Sequence, residues 1–284
     1  MKLSDFPTGI TGELFRDGDF ENIGMLYQEK PQNLCPLADA HYLENFSSNK
    51  SICALITTKD IIPLLPTNIG IWVSENPLES FFQLHKALMQ SGPFYGEDTP
   101  SRIDESCTIA STAHIADQNI NMMKNVMVGS GAQVLGRTEI GSDSVISTNV
   151  LIGGEGFEVK TINGISKIIT HAGSVIIGEN VEIQPFTSID RGLFNDQTSI
   201  GNNVKIDSFV HIAHNAVIKD NVILASSVKI MGSALIGENV FISLGALINN
   251  RVSIGNNSFI GPGEVVTQDV PPNSILRNGK IHSK

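Results

Sequence analysis

Two histidines three residues apart form the part of this chain whose residue types and spacing best suit catalysis. They are His211 and His214, in the run Val210-His-Ile-Ala-His-Asn-Ala216. An imidazole titrates near neutral pH, so His214 suits the removal of a proton from an attacking amine or hydroxyl. The alternative interpretation is two surface histidines on a polar face, and spacing alone favours it.

A glycine and an acid extend this candidate site. Gly232 lies 18 residues after His214, and its backbone N–H is suited to stabilising an oxyanion. An ordinary glycine at a corner is the alternative. Asp190 stands in Asp190-Arg191-Gly192. It either forms a surface ion pair of small energetic value, or binds the substrate amine or orients the histidine.

A zinc site is a competing interpretation of the same histidines. Zinc bound by three histidines would need His171 as the third ligand beside His211 and His214. The adjacent acids are not arranged as obvious ligands. The sequence therefore predicts no metal site.

A six-residue period determines how these side chains are positioned. From Ile200 to Val266 every sixth residue is Ile, Leu or Val, a run expected by chance with a frequency on the order of 10⁻⁷. This period fits neither an α-helix nor an ordinary strand, and it is typical of a hexapeptide β-helix with one inward aliphatic side chain per short strand. Three hexads make a triangular coil, so residues 18 apart stack and about eight coils are expected.

The repeat begins at Ile103, shifts its frame at Met122 and is interrupted between Ile152 and Ile177. Asn163-Gly164 stands there between two alternating runs, which predicts a β-hairpin excursion near residues 153–176. Glycines often follow the inward aliphatic residue, and we expect them at corners with a left-handed backbone. They are Gly141, Gly178, Gly201, Gly237, Gly255 and Gly261. After Val266 a polar, extended tail is predicted.

The first 98 residues show no such period. Residues 52–57 and 69–73 are predicted as buried strands, and Asn76 as the N-cap of a helix that ends near Gln90. A Gly- and Pro-rich linker follows over residues 91–100. The predicted fold class is mainly β: a small α/β domain over residues 1–98, then a left-handed parallel β-helix of hexapeptide repeats over residues 99–284.

Composition excludes several classes of protein. The 284 residues carry a net charge of −10, which disfavours nucleic acid as a partner. Three cysteines lack metal-like or disulfide-like spacing, so a reducing compartment is expected. Neither a signal peptide nor an apolar run long enough to span a membrane is found, so we expect a cytoplasmic protein.

Four motifs carry a resemblance to a known family. They are Gly154-Glu-Gly-Phe157, His171-Ala-Gly-Ser-Val-Ile-Ile-Gly178, Thr187-Ser-Ile-Asp-Arg-Gly192 and His211-Ile-Ala-His-Asn215. Together they resemble the UDP-3-O-acylglucosamine N-acyltransferases of lipid A biosynthesis, and the resemblance covers most of the chain. It implies a uridine-binding N-terminal domain and a homotrimer with active sites between subunits.

The resemblance also implies roles for individual residues. His214 matches the family's catalytic base, Gly232 the glycine whose amide stabilises the oxyanion, and Asp190 the acid of the Asp-Arg-Gly motif. Acyl transfer would be direct, without an acyl-enzyme. His211 and Asn215, which flank the base, are expected to bind substrate.

The sequence departs from the family pattern at three places. Arg251 stands where the family has a second histidine, and we expect it to contact a donor or substrate phosphate. Tyr42 of the family's uridine platform is kept, but Pro36 and Asp39 replace its Phe and Asn; Tyr42 and Asp39 are the expected substrate contacts. Residues 269–276 resemble the close of a CoA-dependent sugar acetyltransferase rather than the family's carrier-binding helices.

These observations predict an N-acyltransferase that acts on a nucleotide-linked amino sugar, with no permanently bound cofactor. The acyl donor is an acyl carrier protein or an acyl-CoA. An acetyl-CoA-dependent amino-sugar N-acetyltransferase of another surface glycan is one alternative. A non-catalytic solenoid scaffold is the second alternative.

Overall fold

The computed structural model describes residues 1–90 and 93–283. Residues 91 and 92, in the predicted linker, lie outside the described residues. The chain divides into two compact units, one of residues 1–97 with 157–170 and one of residues 98–156 with 171–284. Within the described ranges, no helix is long and apolar enough to cross a membrane.

The N-terminal unit contains a five-stranded sheet and two α-helices. The elements are β1 (Glu13–Arg16), β2 (Asn22–Ile23), β3 (Asn33–Leu37), α1 (Leu43–Ser48), β4 (Ile52–Thr57), β5 (Gly70–Val73) and α2 (Pro77–Gln90). The strand order is β1-β5-β4-β3-β2, in which β1 is antiparallel to β5 and the other pairs are parallel. The buried side chains of Leu55 and Ile71 belong to the core of this unit.

Helix α2 begins as the sequence predicts. The Asn76 side-chain oxygen accepts the N–H of Glu79 at 3.1 Å, which satisfies one of the free donors of the first turn. Phe81 and Leu84 bury the apolar face of the helix. His85 is buried on the same helix and bonds the Tyr95 hydroxyl.

A β-hairpin, β6 (Val159–Ile162) and β7 (Ile165–Ile168), belongs to this unit. Asn163 and Gly164 both have positive φ, as a tight two-residue turn between right-twisted strands requires. The Asn163 side chain donates to Glu79 at 2.7 Å, and the backbone carbonyl of Thr170 lies 2.8 Å from His85 Nε2. The hairpin is therefore tied to α2 at its tip and at its base.

The second unit is a three-sided parallel β-helix of eight coils, as the hexad period predicts. The first face contains Arg102–Ile103, Ile120–Met122, Thr138–Ile140, Ser174–Ile177, Gln197–Ile200, Val217–Ile218, Leu235–Ile236 and Ser253–Ile254. The second contains Thr108–Ile109, Met127–Val128, Val145–Ile146, Glu182–Ile183, Lys205–Ile206, Ile223–Leu224, Phe241–Ile242, Phe259–Ile260, Ser274–Arg277 and Lys280–Ser283. The third contains His114–Ile115, Gln133–Val134, Leu151–Gly154, Ser188–Asp190, His211–Ile212, Lys229–Ile230, Leu247–Ile248 and Val265–Val266.

The inward aliphatic side chains form one continuous core along the coil. Ile212 pairs with Ile189 below it and Ile230 above it, and all three are fully buried. The residue two positions earlier in each hexad is also buried, as at Val210 and Val228. An inward side chain is fully buried where a coil covers it on both sides. Ile103 lies in the first coil and is 40% exposed.

The expected role of the glycines is wrong. The glycines that follow inward residues do not have positive φ; that conformation occurs at other corner residues, many of them Asn, such as Asn203, Asn221 and Asn239. The glycines are required by close stacking instead. A Cβ on Gly237 would come within 2.4 Å of the Asn256 side-chain oxygen and 2.7 Å of its backbone nitrogen.

The tail after Val266 contains extended strands, as predicted, but these strands also pair with each other and with the coil. Residues 274–277 and 280–283 form an antiparallel hairpin, and its first strand pairs in parallel with Phe259–Ile260 of the last complete coils. Leu276 is buried there, because its side chain covers the apolar end of the coil. One buried side chain among polar neighbours gave no clear period in the sequence.

Candidate active site

His214 lies at a corner of the β-helix, two residues after the inward Ile212. Inward packing of Ile212 and Ala216 fixes the backbone on both sides, so the half-buried imidazole is directed away from the core. Its Nδ1 lies 3.1 Å from the side-chain oxygen of Asn215. The chain turns sharply at this corner because Asn215 adopts a left-handed backbone with φ of 63°.

The Asn215 contact determines which nitrogen of the neutral His214 ring carries the hydrogen. The same Asn215 oxygen accepts the backbone N–H of Leu193 at 2.9 Å, so it acts as an acceptor. Nδ1 of a neutral His214 must then be the donor, which leaves the lone pair on Nε2. A ring in this state is prepared to take a proton at Nε2.

Gly232 stacks one coil above His214. A Cβ on Gly232 would lie 3.0 Å from both Cε1 and Nε2 of the imidazole, so any larger residue would press on the ring. Met231 and Ser233 donate their N–H groups to Ile248 and to the His214 carbonyl. Within the part of the chain that the structure describes, the Gly232 N–H donates no hydrogen bond. Gly232 therefore combines a close approach to the imidazole with a backbone N–H suited to an oxyanion.

Asp190 and His211 form a second, adjacent pair. Asp190 ends a strand of the third face and is 8% exposed, and its Oδ2 lies 3.7 Å from His211 Nε2. His211 Nδ1 lies 2.9 Å from the hydroxyl of Ser188 on the neighbouring strand. Asp190 is thus placed against His211.

Burial favours the neutral forms of this pair. Desolvation raises the pKa of Asp190 to about 7. Desolvation lowers the pKa of His211, and Lys229 and His214 lower it further by charge repulsion. A carboxyl that titrates near neutral pH in a candidate site is typical of a functional acid, although structural pairs share this property.

His171 packs against His214. The two rings lie edge to face, with centroids 5.1 Å apart and planes at 63°, and His171 is fully buried. Its backbone N–H donates to Glu155 at 2.8 Å, and Glu155 pairs with Arg191. The sequence offers His171 as a third zinc ligand and as the start of a family motif, and it assigns no role to Glu155. The return of the chain after the hairpin brings them together, and no period records that return.

Arg251 lies in the same corner column as Asn215 and Ser233, and all three have a left-handed backbone. Its N–H donates to the Gly232 carbonyl at 3.0 Å, and the residue is exposed. The backbone of Arg251 therefore fixes the peptide that follows Gly232.

The two predicted substrate contacts of the N-terminal unit differ in accessibility to a ligand. Tyr42 is 51% exposed, and its ring meets His41 edge to face at 5.4 Å. Asp39 accepts the His41 N–H at 2.8 Å and caps the short 3₁₀ helix Ala40–Tyr42. Pro36 is buried within β3. Tyr42 thus offers an accessible aromatic ring, whereas the Asp39 carboxylate already has a structural partner.

No group of three or more His, Cys, Asp or Glu side chains is arranged to hold a metal ion within residues 1–90 and 93–283. The site combines the imidazole of His214, the backbone N–H of Gly232 and the buried carboxyl of Asp190, which lie on successive coils. This donor set suits proton transfer and stabilisation of an oxyanion.

Comparisons with known proteins identify the same repeat and the same fold. The family model for the bacterial transferase hexapeptide (six repeats) matches residues 197–232. A crystal structure of a UDP-N-acetylglucosamine acyltransferase is 24% identical and superposes with a TM-score of 0.53, covering 64% of this chain and 72% of that one. The Campylobacter jejuni enzyme of that name is 23% identical and superposes with a TM-score of 0.52, covering 64% of this chain and 74% of that one. Both show the fold, a left-handed parallel β-helix, and confirm the predicted fold class.

Fold and repeat make this chain a hexapeptide-repeat β-helix protein. A UDP-3-O-acylglucosamine N-acyltransferase from Coxiella burnetii is 30% identical over 246 residues, covering 77% of this chain and 70% of the relative. The Polynucleobacter asymbioticus protein of that name is 26% identical over 251 residues, covering 75% and 70%. The chain belongs to the UDP-3-O-acylglucosamine N-acyltransferase family, as the motifs indicate.

Proposed function

We propose that the chain transfers an acyl group from a phosphopantetheine thioester to the amine of a UDP-linked 3-O-acylglucosamine, a step of lipid A synthesis. One observation carries the proposal: the basic Nε2 of His214 lies against Gly232, whose N–H donates no hydrogen bond within the described residues. Family membership supplies the substrate class.

The proposed reaction is direct. The sugar amine attacks the thioester carbonyl, a C–N bond forms, and His214 Nε2 accepts the proton that the nitrogen loses. The Gly232 N–H stabilises the negative charge on the carbonyl oxygen of the tetrahedral intermediate. The C–S bond then breaks, and the protonated His214 returns its proton to the departing thiolate.

The neighbouring residues bind or orient the groups that react. Asp190 holds the sugar amine through its carboxyl, and His211 supports that carboxyl from 3.7 Å. Asn215 keeps the hydrogen of His214 on Nδ1. Arg251 provides an exposed cation for a phosphate of the donor or acceptor.

The uridine of the acceptor is assigned to the N-terminal domain that the sequence predicts over residues 1–98. Tyr42 supports this assignment because its ring is exposed, and aromatic rings stack on nucleobases. Asp39 supports it indirectly, by capping the turn that presents Tyr42. An acyl carrier protein as donor, a homotrimer and a cytoplasmic location are further parts of the proposal, and they rest on the family.

A donor comparison tests the proposal. The chain is offered a UDP-linked 3-O-acylglucosamine with either a hydroxyacyl carrier protein or acetyl-CoA, and the product mass is recorded. Product from the carrier protein is expected. Product from acetyl-CoA alone would favour the sugar N-acetyltransferase, and no product with no binding of the sugar nucleotide would favour the scaffold.

His214→Ala tests the mechanism in the same assay. Loss of the general base should lower kcat by about 10²–10⁴-fold, while the protein stays folded. His114→Ala is the matched control, because His114 is an exposed histidine in the first coil. Equal rates for the wild type and His214→Ala would contradict the role of the base.

A further inference from the structure

A fully buried second imidazole adjoins the proposed base. His171 is 0% exposed, and its ring packs against His214 at a centroid distance of 5.1 Å. Among polar side chains, complete burial is expensive and is usually associated with a specific structural or functional contact. One contact of His171 is the ring of the residue that must receive a proton, and another is the Glu155 carboxylate, 3.6 Å from His171 Nδ1.

The surroundings of His171 prevent its ring from moving away from His214. A Cβ on Gly156 would lie 2.5 Å from His171 Nε2 and 3.0 Å from Cε1, so the backbone of Gly156 touches the ring. Glu155 accepts the His171 N–H at 2.8 Å, and its carboxylate also pairs with Arg191. Because Glu155 is anchored by Arg191, the backbone position of His171 is fixed.

The other contacts of His214 also restrict the movement of its ring. Gly232 lies against Cε1 and Nε2 of the ring, and Asn215 holds Nδ1. His171 supplies a packing contact to the ring that neither of these residues provides. Removing it would leave space into which the base could rotate.

We propose that His171 is a positioning residue, which holds the ring of His214 in the orientation needed to accept the proton of the attacking amine. The inference rests on the proposed function and adds a residue to its site. His171 acts through His214 and touches neither substrate. Displacement of a base by about 1 Å is enough to lower a rate by about 10²-fold, so packing of this kind affects catalysis.

The first test is a double-mutant cycle. His171→Ala should lower kcat by about tenfold or more and leave both KM values within about twofold, because only the orientation of the base changes. In a His214→Ala background the same substitution should have no further effect on the residual rate. An unchanged kcat per folded site, or a further loss without His214, would overturn the proposal.

A second variant perturbs the His171 ring through its contact with Gly156. Gly156 does not have positive φ, so alanine is allowed there by the backbone, but its Cβ must displace the His171 ring. Gly156→Ala should therefore lower kcat in the wild type. Combined with His171→Ala it should add no further loss, because the clash is gone. Independent, multiplying losses would contradict the packing argument.

A third measurement needs no substrate. In protein labelled with ¹⁵N-histidine, long-range ¹H–¹⁵N spectra should show His214 with its hydrogen on Nδ1, and His171→Ala should mix the tautomers or broaden the signal. His114→Ala should leave the His214 signal unchanged. If the wild type transfers no acyl group, the proposed function fails; an unchanged His214 signal in His171→Ala overturns the positioning role by itself.

Discussion

At the residue scale, the side chain of Asn215 connects the corner geometry to the chemistry. One oxygen accepts both the Leu193 N–H and the Nδ1 hydrogen of His214. The left-handed backbone of Asn215 favours Asn or Gly at this position over most residues. We therefore infer that this residue serves the corner and the base together.

Substitution of Asn215 by Gly separates these two roles. Glycine keeps the left-handed backbone and removes the acceptor, so the Nδ1 hydrogen of His214 is no longer favoured and kcat should fall by about tenfold or more. Asn215→Asp retains an oxygen acceptor and should keep most of the rate. Steady-state kinetics of the two variants decide the point; equal kcat in wild type and Asn215→Gly would rule out control of the tautomer.

Asp190 predicts an unusual dependence of stability on pH. Its pKa is about 7 in the folded chain, above the ordinary carboxyl value of 3.8, because burial disfavours the charged form. The folded state thus binds more protons between these values, and its stability falls as pH rises from about 4 through about 7. The loss is on the order of 4 kcal/mol, because each pKa unit corresponds to about 1.4 kcal/mol.

Asp190→Asn tests this dependence, since the amide does not titrate. Urea unfolding at pH 5 and pH 8 should show a smaller decrease in stability for the variant than for the wild type. A decrease of the same size in both proteins would show that burial of Asp190 is not the cause.

At the element scale, the sequence predicts the strands, whereas the left-handed backbone that we expected at the corner glycines lies at other residues. The six-residue period indicates burial directly, because the side chain at each inward position, such as Ile230, is fully buried and must be apolar. Gly237 and Asn239 both lie between consecutive strands. The residue types alone do not show which of the two positions needs close stacking and which needs a positive φ. The structure separates them: Gly237 stacks on Asn256, and Asn239 carries the left-handed backbone.

Asn239 provides a test of that separation. Asn239 has φ of 56°, and Asn239→Gly should be more stable than Asn239→Ala by about 1 kcal/mol, because alanine is strained in this conformation. Both variants lose the hydrogen bond to Asn257, so the difference isolates the backbone. Thermal unfolding of the pair is the measurement.

Gly237→Ala is the companion variant. Its Cβ would meet the Asn256 side-chain oxygen at 2.4 Å and nearby backbone, so it should destabilise the coil by roughly 2–3 kcal/mol despite the ordinary φ. A stability for Gly237→Ala equal to that of the wild type would mean that stacking does not require glycine there.

At the scale of the whole molecule, the sequence predicted the repeat and the candidate base, but not the contacts around it. His214 and Gly232 are related by one coil, so their stacking follows from counting 18 residues. His171 and Glu155 reach the site through an excursion of the chain, and the period carries no information on where it returns. The residues on coils were therefore predictable, and those on loops were not.

The exposed exterior of the β-helix bears on assembly. Phe186 and Phe209 are 55% and 59% exposed and stack face to face at 5.3 Å, and both have left-handed backbones that are strained for phenylalanine. Exposed apolar groups of this kind are typical of interaction surfaces. They agree with the proposed homotrimer.

Sedimentation equilibrium should therefore give a mass near three times the 30.6 kDa of the chain at micromolar concentration. If the active sites lie between subunits, kcat per chain should fall on dilution below the concentration at which the trimer dissociates, because each site then lacks its neighbour. His114→Ala should follow the same dilution curve as the wild type. A monomer that keeps full activity per chain would show that one coil holds the complete site, and the inter-subunit arrangement would then be abandoned.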